Sequence, residues 1–348
     1  MKDIVAKRIK SARLMAGLSL RELSEEIGNA VSYNAIAKYE KAEMMPDSKV
    51  LLVLSKALQV KPDYFFRPYS LEIQDIAFRK RKKLGVKKVN SLKEEITDSV
   101  SRYIEVEQLL NIETAFQNPI RDLLITDSED VELAVNQLIA AWKIGINAIP
   151  NVIDILEDKE IKVVEIDAPV EFDGMSGWAD KQIPIIVINK NYENERKRFT
   201  ALHELGHILL NFSPELSEKE QEKLCHRFAG SLLIPKETFC SELGVKRNTI
   251  SRAELINLKE TYGLSIQAIM ARARDLEVIS PYYYQQFCIQ ISGNRVEENL
   301  GRFICKERSN RFRNLVFRAA AEEIISMSKA ANLCNQKLAS FRDEFVAI

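Results

Sequence analysis

The sequence predicts a multidomain, mainly α-helical chain with a small β-sheet: an all-α domain first, an α+β domain next, and a helical C-terminal region last. Three observations predict it. Apolar residues recur at helical spacing through most of the 348 residues, with Ser, Asp and Gly where helix ends need them. Only two short runs, 162–166 and 184–188, are rich in β-branched residues and read as strands. The chain is also too long for one core at roughly 150 residues per domain. The expected segments are 1–66, a helical connector 67–129, 130–280 and 281–348.

The elements follow in order. Residues 4–15 have helical periodicity and stop at Gly17. Ser19 caps a short helix, with Glu22 completing a capping box, and Gly28 ends it. Ser32 caps a third helix running to about Lys41. Pro46-Asp47-Ser48 opens a fourth with Val50, Leu51, Leu54, Ala57 and Leu58 inward, and Lys61-Pro62 starts a last turn ending in Phe65-Phe66. A charged helical connector covers 71–110. Helices at 130–142 and 151–156 precede the two strands, with Asp173-Gly174 and Gly177 read as turns between them. Helices at 193–210 and 217–233 come next, the second closed by Pro235. Beyond Glu237 the pattern is again helical, including one run over 311–329. Tyr282, Tyr283 and Tyr284 are expected in a core, although the sequence around 282–305 carries no clear period.

Composition narrows the function classes. Lys+Arg and Asp+Glu both number 50, so net charge says nothing about nucleic acid. A local run does: Arg79, Lys80, Arg81, Lys82, Lys83, Lys87 and Lys88 occur with no acid among them. Such a run is either a solvated helix face or a phosphate-contacting extension. The longest apolar runs fall far short of the roughly 20 residues that span a bilayer. Met1-Lys2-Asp3-Ile4 leads into a charged helix rather than an apolar leader. Five scattered cysteines, with no Cys-x-x-Cys pair, suit a reducing compartment. A cytoplasmic protein with no membrane partner is expected.

The strongest motif is His203-Glu204-Leu205-Gly206-His207. Residues four apart share a helix face, so both imidazoles can reach one metal ion. Apolar neighbours at Ala201, Leu202, Leu205, Ile208 and Leu209 would bury that helix, and buried imidazoles need partners. A catalytic zinc takes a third protein ligand and keeps one open position. Two candidates, Glu222 and His226, share a face of the next helix. Glu222 is the choice, because a carboxylate downstream of the histidine pair recurs in zinc proteases; His226 is then a neighbour of the ligands or a packed core residue. Glu204 would take a proton from the zinc water and pass it to the leaving amine. The strand over 183–188 could hold a peptide by edge pairing. Cys225, beside these ligands, reads as a small buried side chain.

The stretch from Arg198 through His203-Glu204-Leu-Gly-His207 to Leu210 resembles the ImmA/IrrE family of bacterial metallopeptidases. So do Glu222-Lys-Leu-Cys-His-Arg-Phe228 through Pro235, Phe172-Asp-Gly-Met-Ser-Gly-Trp178, Val187-Ile-Asn189 and Tyr262-Gly-Leu-Ser-Ile-Gln267. The resemblance covers roughly 140–280. It implies a zincin-like fold, Zn2+ on His203, His207 and Glu222, and Glu204 as general base. His226 stands where many members carry Asn. Family members typically cleave a repressor that carries a helix-turn-helix, which relieves repression.

The N-terminal pattern of Ser19, Leu23, Gly28, Ile36, Glu40, Pro46 and Leu58 resembles the phage-repressor (Cro-like) helix-turn-helix, with a turn two residues longer than the commonest spacing. Leu23, Ile27, Ile36, Leu51 and Leu54 would be core. In that arrangement the third helix lies in the major groove. Asn34 can read adenine, while Ser32, Tyr33, Lys38 and Arg21 suit phosphates. The expected partners are operator double-stranded DNA bound by a homodimer, and a protein substrate, either a helix-turn-helix repressor or the chain itself. The alternative function is a DNA-binding repressor or antitoxin, with a cognate toxin as partner, whose metallopeptidase-like fold is a sensor or scaffold without proteolysis.

Overall fold

The computed structural model describes residues 1–67, 73–74, 85–113 and 115–346. Contacts group the chain into two compact units. One comprises residues 1–114, 179–181 and 310–348; the other comprises 115–178 and 182–309. Within the basic run, Arg79, Lys80, Arg81, Lys82 and Lys83 lie outside the described residues.

The first unit opens with α1 (Lys2–Met15), α2 (Leu20–Glu26), α3 (Tyr33–Glu40), α4 (Ser48–Ala57) and a 3-10 turn, Pro62–Phe66. The caps fall where the sequence places them. Ser19 and Glu22 form a reciprocal capping box on α2, Ser32 caps α3 and Asp47 caps α4. Leu23, Ile27, Ile36, Leu51 and Leu54 are buried in one core with Val5, Ile9 and Phe65. A two-residue strand, β1 (Ile73–Gln74), precedes the long α5 (Val86–Leu109).

In the second unit β2 (Leu124–Ile125), α6 (Ser128–Trp142) and α7 (Val152–Asp158) lead to β3 (Lys162–Ile166), β4 (Gly174–Ala179) and β5 (Ile183–Asn189). β5 lies between β4 and β3, running parallel to β3 with Val164 opposite Val187. Two expectations are corrected here. Residues 174–177 are not a turn: Gly174 and Gly177 lie within β4, and the missing side chain of Gly174 serves close packing against Thr200 and Val187 rather than a reversal. The 183–188 strand also has no free edge for a peptide, since both its sides are hydrogen-bonded to neighbours. Then come α8 (Asn194–Leu209), β6 (Asn211–Phe212), which pairs parallel with β2, and α9 (Glu218–Leu233). The unit closes with α10 (Lys236–Leu243), α11 (Arg252–Tyr262), α12 (Ile266–Asp275) and α13 (Pro281–Ile291). Its core runs from Val131 and Leu138 through Ile186, Leu202, Leu205 and Phe228 to Ile269. Tyr282 is 70% exposed, against the core expectation, whereas Tyr283 and Tyr284 are half-buried against that core.

The remaining chain, α14 (Arg311–Ala321), α15 (Met327–Leu333) and α16 (Leu338–Glu344), belongs to the first unit. The single helix expected over 311–329 breaks after Ala321, where Glu323 takes φ +57° and Ser326 caps a new helix. Val316, Ala319, Leu333 and Phe341 bury themselves against Val106 of α5 and Leu110 just after it. The chain is thus mainly helical with small sheets, as expected. No helix among the described residues is long and apolar enough to cross a membrane.

Candidate functional site

Helices α8 and α9 come together because Gly206 has no side chain. A Cβ built there would lie 3.2 Å from Cys225 Sγ and 3.4 Å from its Cα. That close approach carries Glu222, one turn before Cys225, up to the face that presents His203 and His207. The two Nε2 atoms stand 3.3 Å apart. Glu222 places one carboxylate oxygen 3.2 Å from His203 Nε2 and the other 3.5 Å from His207 Nε2. Ligands about 2.05 Å from a tetrahedral ion stand about 3.3 Å from one another. The donor set therefore has the chemistry and the spacing of a zinc site, and it is the one such His/Cys/Asp/Glu cluster among the described residues. His203 is 9% exposed. His207 and Glu222 are partly exposed, but burying the His203 imidazole against a second imidazole is costly unless something binds it.

Glu204 faces β4. Ser176 Oγ donates to Glu204 Oε2 at 2.8 Å. Gly174 makes that approach possible, since a Cβ there would meet Thr200 Cγ2 at 2.4 Å, the Val187 carbonyl at 2.9 Å and Glu204 Cγ at 3.5 Å. The sequence reading missed Ser176. It lies inside the Phe172–Trp178 stretch, but a lone serine 28 residues from its partner leaves no periodic signal.

His226 is not in the donor set. Its ring centroid lies 4.3 Å from that of His203, tilted by 35°, and 5.8 Å from that of Phe199, to which it is nearly parallel. Desolvation by these packed neighbours, reinforced by His203, lowers its pKa to about 4 although the residue keeps an exposed side. This packing holds the His203 ring, whose Nδ1 is buried and has no hydrogen-bond partner. Cys225, which the sequence suggested to be a small buried residue, is fully buried, with its sulfur 3.5 Å from His207 Nδ1. A cavity of about 680 Å³ opens beside His226, lined by Phe199, Lys223, Arg227 and Arg274 among others.

In the first unit, Arg21, Ser32, Tyr33, Asn34 and Lys38 are all exposed. The Arg21 guanidinium sits 5.4 Å over the Tyr33 ring. Asn34 and Lys38 share a face of α3 by their spacing. Ser32 already accepts from the Ala35 N–H at 3.3 Å, which leaves its hydroxyl proton free to donate. Lys87 of the basic run pairs with Glu22 at 2.9 Å.

Residues 156–274 match the family model described as the IrrE N-terminal-like domain of the M78 peptidases. Residues 9–65 match a helix-turn-helix family model. The chain thus combines the two domain types that its sequence resembles. No curated protein matches it.

Proposed function

We propose that the chain is a cytoplasmic zinc endopeptidase coupled to transcriptional control, which cleaves a helix-turn-helix repressor, or itself, to relieve repression. The observation that carries this reading is the cluster of His203, His207 and Glu222, in which the two Nε2 atoms stand 3.3 Å apart and each faces a different oxygen of Glu222, at 3.2 and 3.5 Å. Zn2+ held there would supply Lewis acidity toward a water molecule and a peptide carbonyl. Glu204, beside the first imidazole, is placed to accept the proton of the attacking water and to return it to the leaving amine. The Ser176 hydroxyl donates to one oxygen of Glu204 and so restrains the carboxylate. His226, itself stacked on Phe199, packs against the His203 ring and restrains it. The cavity lined by His226 and Phe199 gives a peptide side chain room on that side of the site.

The exposed face of α3 supports binding to operator DNA, with Asn34 reading a base and Arg21, Ser32, Tyr33 and Lys38 meeting phosphates. A homodimer on a two-fold operator completes the proposal; sedimentation as a strict monomer with and without DNA counts against it.

The test is Glu204→Gln, incubated with helix-turn-helix repressors encoded nearby while bound zinc is measured. The variant should keep its zinc and lose about a hundred- to ten-thousand-fold in cleavage rate. Wild-type protein that binds operator DNA but cleaves neither a repressor nor itself would support the repressor or antitoxin reading instead, with a toxin as partner.

A further inference from the structure

The first unit contains a small cavity, about 120 Å³, where four stretches of chain meet. Met15 ends α1; Lys61, Tyr64 and Arg67 come from the 3-10 turn and its two flanking residues, Asp98 and Arg102 from α5, and Asn335 from just beyond α15. Its charges are unevenly satisfied. Asp98 is fully used, accepting from Arg8 at 3.2 Å and from Arg102 at 3.0 Å. Arg102 also donates to the Leu333 carbonyl and to Ser99.

Lys61 and Arg67 differ. Lys61 bonds only to neutral oxygens, the Asn332 side chain and the Gln336 carbonyl, and burial pulls its amine below the ordinary lysine range. Arg67 is 8% exposed. Its Nη2 meets the Asn332 carbonyl and lies 3.8 Å from Asp63, while its Nε is buried with no partner. A buried cationic donor without an acceptor costs free energy that a ligand oxygen would recover. Glu95 and Asp98 also line the cavity, and their charge favours a small, weakly charged oxyanion over a highly charged one.

We propose that this cavity binds a small oxyanion, a phosphate or carboxylate group held by the Arg67 guanidinium and Lys61 Nζ, which ties the C-terminal helices to the DNA-binding bundle. It is distinct from the metal cluster and does not depend on peptidase activity. An anion at this junction would bridge the 3-10 turn, α5 and the end of α15, and so act as an effector of the N-terminal domain.

The test titrates full-length protein with inorganic phosphate at constant ionic strength, chloride being replaced. Melting temperature and phosphorus NMR linewidth are both followed. A saturable rise in melting temperature with matching line broadening is expected. Arg67→Gln and Lys61→Met should each weaken it about tenfold, the effect of losing one charge-assisted hydrogen bond. Ser99→Leu fills the cavity from α5, keeps every charge and should abolish the effect. If Arg67→Gln fails to fold, Lys61→Met and Ser99→Leu still decide. A parallel acetate titration distinguishes the sources: competition with phosphate assigns carboxylates to the site, and its absence restricts the site to phosphates. The proposal is overturned if phosphate has no saturable effect beyond chloride, or if all three variants respond like the wild type.

Discussion

Glu307 lies in the extended stretch after α13 and is 2% exposed. Its carboxylate accepts the Val152 N–H at the start of α7, at 2.6 and 3.2 Å from its two oxygens. Burial pushes its pKa from 4.5 up to about 7, against the pull of the buried Arg198; Asp154 and Glu165 push the same way as burial. The folded protein therefore keeps this proton after the unfolded chain has lost it. The resulting stabilisation is complete below pH 4.5, shrinks as pH rises toward 7 and is gone above it. The gap between 4.5 and about 7 corresponds to about 3 kcal/mol at most. Glu307→Gln keeps a neutral acceptor for the Val152 N–H, so it should match the wild type near pH 5. Near pH 8.5 it should be more stable by up to about 3 kcal/mol. Calorimetric melting of both proteins across that range isolates the effect, because every other titration cancels in the difference. A difference that stays flat with pH would refute the argument. One in which the variant loses ground as pH rises would show instead that Arg198 holds the carboxylate ionised.

The other predictions concern the two functional faces. Ser176→Ala should retain zinc and lower the rate by about tenfold or more, through loss of one hydrogen bond to a charged group, read from metal content and cleavage together. Gly206→Ala should destabilise the protein by about 1–3 kcal/mol and weaken zinc binding as Cys225 and α9 are pushed away. Adding Cys225→Ala should recover part of both losses, measured by melting and by competition with a chelator. On the DNA face, Asn34→Ala should relax sequence preference at one base pair by about 1–3 kcal/mol. Lys38→Ala should weaken binding to all sequences alike and reduce the salt slope by about one, read by titration over a range of salt concentrations.

What the sequence made legible was local. Ser19, Ser32, Asp47 and Ser217 each cap the helix that begins after them, because a cap is satisfied within four residues. The histidine pair was legible because its chemistry fits within one helical turn. Glycine misled where its role was long-range: Gly174 marks the close passage of β4 over Thr200 and Glu204, and nothing nearby in the sequence separates that from a turn. The break after Ala321 was hidden because residues 321–325 contain neither Gly nor Pro; Ser326, which caps α15, was the available signal. That α14–α16 pack on α5 was beyond periodicity altogether, since a helical stripe reveals a face without naming its partner.

Glu222, the proposed third ligand, is the part of the proposed metal site that no local rule dictates, and its position depends on helical register. Buried Leu224, Cys225 and Phe228 anchor α9 in the core, so residues on the N-terminal side of that anchor inherit their angle from it. One extra residue turns whatever precedes it by about 100°. An alanine inserted between Lys223 and Leu224 should therefore swing the Glu222 carboxylate off the imidazoles and cut zinc affinity by at least about a hundredfold, although every ligand residue remains. The same insertion between Lys219 and Glu220 lies beyond Glu222 from the anchor. It should disturb only the Ser217 cap, costing about 1 kcal/mol and leaving zinc in place. Equal zinc loss in the two insertions would mean that the cap, not the core anchor, positions Glu222. Retention in both would remove Glu222 from the ligand set and leave the two histidines without the carboxylate that the proposed hydrolysis needs.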